Sequence, residues 1–266
     1  MPSWCRTSPA LRCEITERTL AAAVAVGCAA ADRRETREGR VGLLGVSIGA
    51  SLALLAAEDE RLAGRVSAVS GVAPCTNFVN VIRLATTGTY PSGGALEEYP
   101  VPPFLGLVVA RSLAGALPDG DRELLRSTLV AVQPDAADPL APLRDVPRDS
   151  LSKTGLAVVD LLMNRDARRF DRLYSCLTPE LRAVLTRLSP LAGVGRLRAS
   201  AELASAPRDK YFPAAESYAL AGATSGVRVT VTSALAHADP AIAMRDMRDL
   251  ARFWAFATRT LRAFAV

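Results

Sequence analysis

The residues that could do chemistry are few and lie far apart in the chain. Ser47 stands between two glycines in "VGLLGVSIGASLALLAA", residues 41–57. A serine hydroxyl attacks a carbonyl carbon only when a base takes its proton. The usual base is histidine, and the chain has one, His237, in "VTVTSALAHADP". An imidazole in that role needs a carboxylate to orient it. Asp209, in "ASAPRDKYFPAAES", is the first candidate. Asp239 is a rival, but it stands two residues beyond His237, a poor position for holding Nδ1. Glu202 and Glu216 are weaker candidates, the first inside an expected strand and the second on an expected helix. Together these groups would support nucleophilic attack on an acyl carbon.

Three such groups can meet only if the fold delivers them to one rim. The run at 40–45, "RVGLLG", is short, apolar and bounded by glycine, which predicts a buried strand. The run at 48–59 predicts a helix, and 65–73 predicts a second buried strand. Strand, helix, strand in this order implies a right-handed βαβ unit and a parallel sheet. Ser47 then falls at the carboxyl end of the first strand, where ligands bind in open α/β sheets. Gly45 and Gly49, two residues before and after it, would let strand and helix approach closely. The helix beginning at Ile48 points its positive end at the site, and the Ile48 N–H is a candidate oxyanion donor.

The same alternation returns after residue 195. "RLRASAELAS" (196–205) predicts a strand, 213–224 a helix, and 226–235 a β-branched strand. Asp209 and His237 each follow one of these strands, so both are expected on the rim that carries Ser47. A long amphipathic helix is expected over 240–264 and another helix over 14–33. The middle, 76–190, reads differently. It opens with a loop rich in Gly, Thr and Pro and continues as helices over 121–133, 154–164 and 178–189, with no strand expected. Thr178-Pro179-Glu180 carries a helix-start signature. The expected organisation is a core of 1–75 and 191–266, interrupted by a helical insertion at 76–190.

"GVSIG", "PRDKYFPAAES" and "LAHADP" together resemble the α/β-hydrolase superfamily, near its dienelactone-hydrolase and serine-esterase branches. The order Ser, Asp, His is that superfamily's order. Asp209, Pro213 and Ser217 match its D-x-x-x-P-x-x-x-S loop. The resemblance implies Ser47 as nucleophile, Asp209 as acid and His237 as base. It implies a small-molecule ester or acyl substrate, with the insertion as a cap. Dienelactone hydrolases usually carry cysteine where this chain has Ser47, so an esterase-like activity fits better. Hydrolysis and acyl transfer would use the same three groups. The superfamily has several strands before the elbow, whereas about 40 residues precede it here. The expectation is therefore an N-terminally truncated hydrolase without the His-Gly type loop that supplies the first oxyanion donor. The alternative is a catalytically impaired binding module on the same scaffold. The first strand would then be an open edge, available to a second copy of the chain.

Composition narrows the partners. The chain has 266 residues, is 50% hydrophobic and carries a net charge of +5. That charge rests on scattered arginines, with Lys153 and Lys210 the only lysines, and aromatics are few. No nucleic-acid partner is expected. Cys5, Cys13, Cys28, Cys75 and Cys176 are odd in number and irregular in spacing, which points to a reducing, cytoplasmic setting without disulfides. No phosphate loop, metal cluster or dinucleotide fingerprint occurs, so no cofactor and no metal are expected. "VPPFLGLVVARSLAGALP" is too interrupted to span a membrane. Its Phe104, Leu105, Leu107, Val108 and Val109 could line an acyl pocket or simply pack a core.

Overall fold

The computed structural model describes residues 14–235 and 247–265. In chain order the elements are α1 (Glu17–Ala31), β1 (Val41–Val46), α2 (Ile48–Ala57), β2 (Val66–Val72), α3 (Phe78–Thr87), β3 (Thr89–Ser92) and β4 (Ala95–Glu98). There follow α4 (Phe104–Gly115), α5 (Asp119–Val130), α6 (Lys153–Met163), α7 (Phe170–Ser175) and α8 (Pro179–Arg187). The chain then continues through α9 (Pro190–Gly193), β5 (Ser200–Ser205), α10 (Ala214–Ala223), β6 (Val227–Val231) and α11 (Met247–Phe264). Two compact units result. One holds 78–186 with the residues before Arg18, and the other holds 18–77 with the residues from 187 onward.

The second unit is an α/β layer structure. Its sheet has the order β1-β2-β5-β6, and every pairing is parallel. Parallel strands need crossovers; α2 and α10 supply two of them on one face, and α11 covers the other. On one face Val24 of α1, Leu54 of α2 and Leu220 of α10 pack with Val69 and Leu203 of the sheet. Each such fully buried side chain contributes about 1.5–3 kcal/mol of transfer free energy. On the other face lies α11, whose Phe256 packs with Ala204 and Leu235. The Thr260 hydroxyl meets that of Ser70 at 2.9 Å, and Arg259 donates to Glu202 at 2.9 Å. Phe264 lies against Gly42 of β1, where an added Cβ would meet the ring at 2.4–2.8 Å. Beyond that point the same face of β1 is open. Leu44 is 64% and Val46 44% exposed, on a strand with one neighbour among the described residues.

The first unit is mostly helical. Leu105, Leu107, Val108 and Val109 of α4 are buried, and with Leu125, Leu161 and Leu185 they belong to its packed core. Caps set its helix starts. The Ser152 hydroxyl accepts from the N–H groups of Thr154 and Gly155, and Thr178 accepts from Leu181 N–H at 3.3 Å. The Arg83 guanidinium sits 4.1 Å over the Phe170 ring and pairs with Asp171.

One expectation fails here. The middle of the chain contains strands: β3 and β4 form an antiparallel hairpin with Thr89 opposite Glu98 and Ser92 opposite Ala95. Its turn is Gly93-Gly94, both at positive φ (56° and 85°), as a two-residue hairpin loop requires. The hairpin escapes a reading by hydrophobic period because β4 is exposed along its whole length. Without a buried face there is no alternation to detect.

Among the described residues, Cys28, Cys75 and Cys176 are free thiols. No helix among the described residues is long and apolar enough to cross a membrane.

Candidate active site

Ser47 occupies the turn between β1 and α2 with φ 56° and ψ −127°. A left-handed φ at a residue with a Cβ stores backbone strain of about 1–3 kcal/mol. The surroundings hold it there. Its N–H donates to the Val72 carbonyl of β2 at 2.7 Å, which extends the ladder one residue past β1. Its carbonyl accepts from the N–H groups of Ala50 (2.9 Å) and Ser51 (3.3 Å), which starts α2 at once. Chain reversal within a single residue leaves the Ser47 side chain half-buried, accessible to a ligand.

The glycines flanking the serine are not equivalent. A Cβ on Gly45 would meet the Gly49 carbonyl oxygen at 2.2 Å and the Ala50 nitrogen at 2.5 Å, both backbone atoms. Only glycine fits at 45. A Cβ on Gly49 would meet nothing within 4 Å, so the tight fit is one-sided. Gly71 on β2 extends the close approach, since a Cβ there would meet the Ala50 methyl at 3.2 Å.

The first-turn amides of α2 set the electrostatics. Those of Ala50 and Ser51 are used on Ser47, while those of Ile48 and Gly49 have no intrahelical acceptor. They lie at the positive end of a ten-residue helix that starts directly after Ser47. This is a donor set suited to negative charge developing on an oxygen.

Register carries the remaining candidates to the same edge. Val46 pairs with Val72, Val72 with Ala204, and Ala204 with Thr230. The turn holding Ser47, the loop after β5 and the loop after β6 therefore leave one carboxyl rim. Asp209 lies in the loop after β5, two strands from Ser47, which is about 10 Å of sheet. It is buried, and its Oδ1 accepts from the N–H groups of Tyr211 (2.8 Å) and Phe212 (3.0 Å). Those bonds fold the loop around the carboxylate. The Ser217 hydroxyl, eight residues on, meets that of Ser205 at 2.9 Å and ties α10 to the end of β5. His237 and Asp239 lie outside the described residues. The last described residue before them, Leu235, is buried beyond the end of β6, the strand next to β5.

The other two acidic candidates are committed elsewhere. Glu202 points from the middle of β5 toward α11 and pairs with Arg259 (2.9 Å) and Arg228 (3.9 Å). Glu216 is buried and accepts from the N–H groups of Thr76 and Asn77, both at 2.7 Å, and from the Thr76 hydroxyl at 3.0 Å. It anchors the chain leaving β2. Neighbouring Cys75 is no rival nucleophile. Burial, and then the Glu216 charge, push its thiol well above the ordinary range, so it stays protonated.

A further group near the rim has only a weak sequence signal, an acid in the first turn of a helix. Asp249 of α11 accepts from both the N–H and the hydroxyl of Ser233. Its carbonyl accepts from the Thr232 hydroxyl at 2.8 Å, and Arg252 pairs with its carboxylate at 2.8 Å. The Ser233 hydroxyl, helped by Arg252, holds the Asp249 carboxyl below the ordinary range. This fastens the chain leaving β6 to the start of α11, at the two ends of the segment that contains His237.

The sequence matches no family model and no curated protein. Among solved structures, the chain is similar to an acetylester hydrolase from Corynebacterium glutamicum at 13% identity and a TM-score of 0.34. The alignment covers 85% of this chain, which spans 61% of the length of that hydrolase.

Proposed function

We propose that the chain is a serine hydrolase of α/β-hydrolase type that cleaves a carboxylic ester or related acyl bond through Ser47. One observation carries the reading: Ser47 sits at φ 56° on a one-residue strand-to-helix turn that Gly45 alone permits. Glu38 and Ala73 share a positive φ, but Ser47 alone of the three combines it with a hydroxyl at a strand-to-helix turn, the place where such strain clusters at active sites. In this reading the Ser47 oxygen attacks the acyl carbon while its proton passes to His237. The Ile48 N–H donates to the oxyanion. Collapse breaks the bond to the leaving group, which takes the proton from His237, and an acyl group remains on Ser47. Water, deprotonated by His237, releases the acid and restores the hydroxyl. Asp209 orients the imidazole, a role supported by its burial and its loop-closing bonds.

The test is covalent labelling by a fluorophosphonate probe. Labelling should be lost in Ser47→Ala and strongly slowed in His237→Ala and Asp209→Asn. Labelling that persists in Ser47→Ala overturns the assignment.

A further inference from the structure

A separate cleft lies in the mostly helical unit. It has a volume of about 610 Å³ and is bounded by the chain from Met163 to Arg169 together with Thr87 and Thr89. Three arginines line it against a single carboxylate, Asp166.

The three cations are not equivalent. Arg168 is already neutralised, because Asp166 takes its guanidinium in a fork (3.1 and 3.2 Å) and also accepts its backbone N–H at 3.0 Å. Asp166 is itself held. Buried Asn164 donates to its carbonyl at 3.0 Å and accepts its N–H at 3.1 Å. Arg165 is mounted differently. Its Nη1 donates to the carbonyls of Leu162 and Asn164, both at 2.8 Å, and to that of Thr86 at 3.4 Å. Neutral acceptors fix the guanidinium without cancelling its charge, and one edge of the fork stays available. Asp138 feels that charge, but its carboxyl is held down chiefly by its hydrogen bond from Arg144. Arg169 has no carboxylate within ion-pair distance among the described residues, although its charge reaches the Asp166 carboxyl. The cleft therefore carries two guanidinium groups without a hydrogen-bonded carboxylate, and one of them is positioned in advance.

The hydroxyls add a direction. Thr87 donates to the Arg83 carbonyl at 2.8 Å, so the 2.7 Å contact between Thr87 and Thr89 is donated by Thr89. Thr89 Oγ1 then offers only lone pairs, an acceptor for a ligand hydroxyl.

We infer that this cleft binds a small oxyanion, a carboxylate or phosphate group, between the guanidinium groups of Arg165 and Arg169. Planar guanidinium matches either group in two-point fashion, and a fixed mount lowers the ordering cost of binding. The cleft belongs to a different unit from Ser47.

Calorimetric titration of the full chain at low ionic strength tests this, with inorganic phosphate and citrate as probes and sodium chloride as control. Saturable binding is expected for at least one probe and should weaken as salt is added. Removing one charge-assisted contact should weaken it about tenfold or more, in Arg165→Gln and in Arg169→Gln alike. Arg37→Gln, outside the cleft, should bind as the parent does. Phosphate binding alone assigns a phosphorylated ligand, and citrate binding alone assigns a carboxylate. The absence of saturable binding to both, or equal binding by the parent and Arg169→Gln, overturns the proposal. The bond Arg169 makes in the fold is its backbone N–H to the Asp166 carbonyl, which glutamine keeps, so that variant decides the matter even if Arg165→Gln does not fold.

Discussion

Gly45 lies so close to Gly49 that a single added carbon at 45 would overlap the Gly49 carbonyl oxygen, 2.2 Å away. The contact is backbone against backbone, and no rotamer change can relieve it. Gly45→Ala must push α2 off β1. The expected loss is on the order of 1–3 kcal/mol, read from urea unfolding, together with a fall in Ser47 labelling. Gly49→Ala has free space around the new methyl. Helix propensity favours it by about 0.5–1 kcal/mol. A Gly45→Ala protein as stable as the parent would show that strand and helix are not in this contact.

Ser47 itself should trade stability for its conformation. Its φ of 56° suits glycine better than any residue with a Cβ. Ser47→Gly is expected to gain about 1 kcal/mol in unfolding free energy while losing all labelling. Ser47→Ala loses labelling without that gain, because its Cβ keeps the strain. Equal stability of the two variants would mean that the turn is unstrained.

Glu58 predicts a pH dependence. It ends α2, is 3% exposed, and faces Gly193, with neither carboxyl oxygen hydrogen-bonded among the described residues. Burial pushes its carboxyl from the ordinary 4.5 up to about 8, against the pull of Arg196 at 3.7 Å. Between those two values the folded chain holds a proton that the unfolded chain has lost. Stability should therefore fall as pH rises from about 4.5 to about 8, and level off above that. Glu58→Gln cannot ionise. Its advantage over the parent should be smallest near pH 5 and reach on the order of 2–4 kcal/mol by pH 9. A difference that does not change across that range would rule out a buried neutral acid.

Glu216 should behave as a structural acid. Glu216→Ala leaves the buried amides of Thr76 and Asn77 without their acceptor. The expected loss is about 2–4 kcal/mol. Glu216→Gln keeps an oxygen in place and should lose less. If Glu216→Ala remains folded, its Ser47 labelling under native conditions should be retained. Abolished labelling in a folded Glu216→Ala protein would give this carboxylate a part in the chemistry.

The legibility of these features follows their range. The elbow is readable because strand, turn and helix are dictated by adjacent residues, and the Gly45 requirement is local. The Thr178 cap is readable for the same reason, since donor and acceptor are three residues apart. The β3–β4 hairpin offered a local sign too, the Gly93-Gly94 pair, but its exposed strand β4 carries no period. The true partners of Glu202 and Glu216 are not readable. Glu202 meets Arg259 across 57 positions and Glu216 meets Thr76 across 140. Nothing near either glutamate in the chain separates a structural acid from a catalytic one. Glu58 is opaque for the opposite reason: a charged residue at a helix end reads as solvated, and only packing against Gly193 buries it.

Ser47 stands at the end of the outermost described strand of the sheet. Among the described strands β1 has β2 on one flank and no strand on the other, so the elbow is braced from a single side. Peeling of β1 away from β2 and loss of the elbow are then one event. Amide exchange at Leu43 to Val46 should report directly on how long Ser47 keeps its strained pose. Conditions that protect those amides should preserve labelling even where the rest of the molecule is already secure.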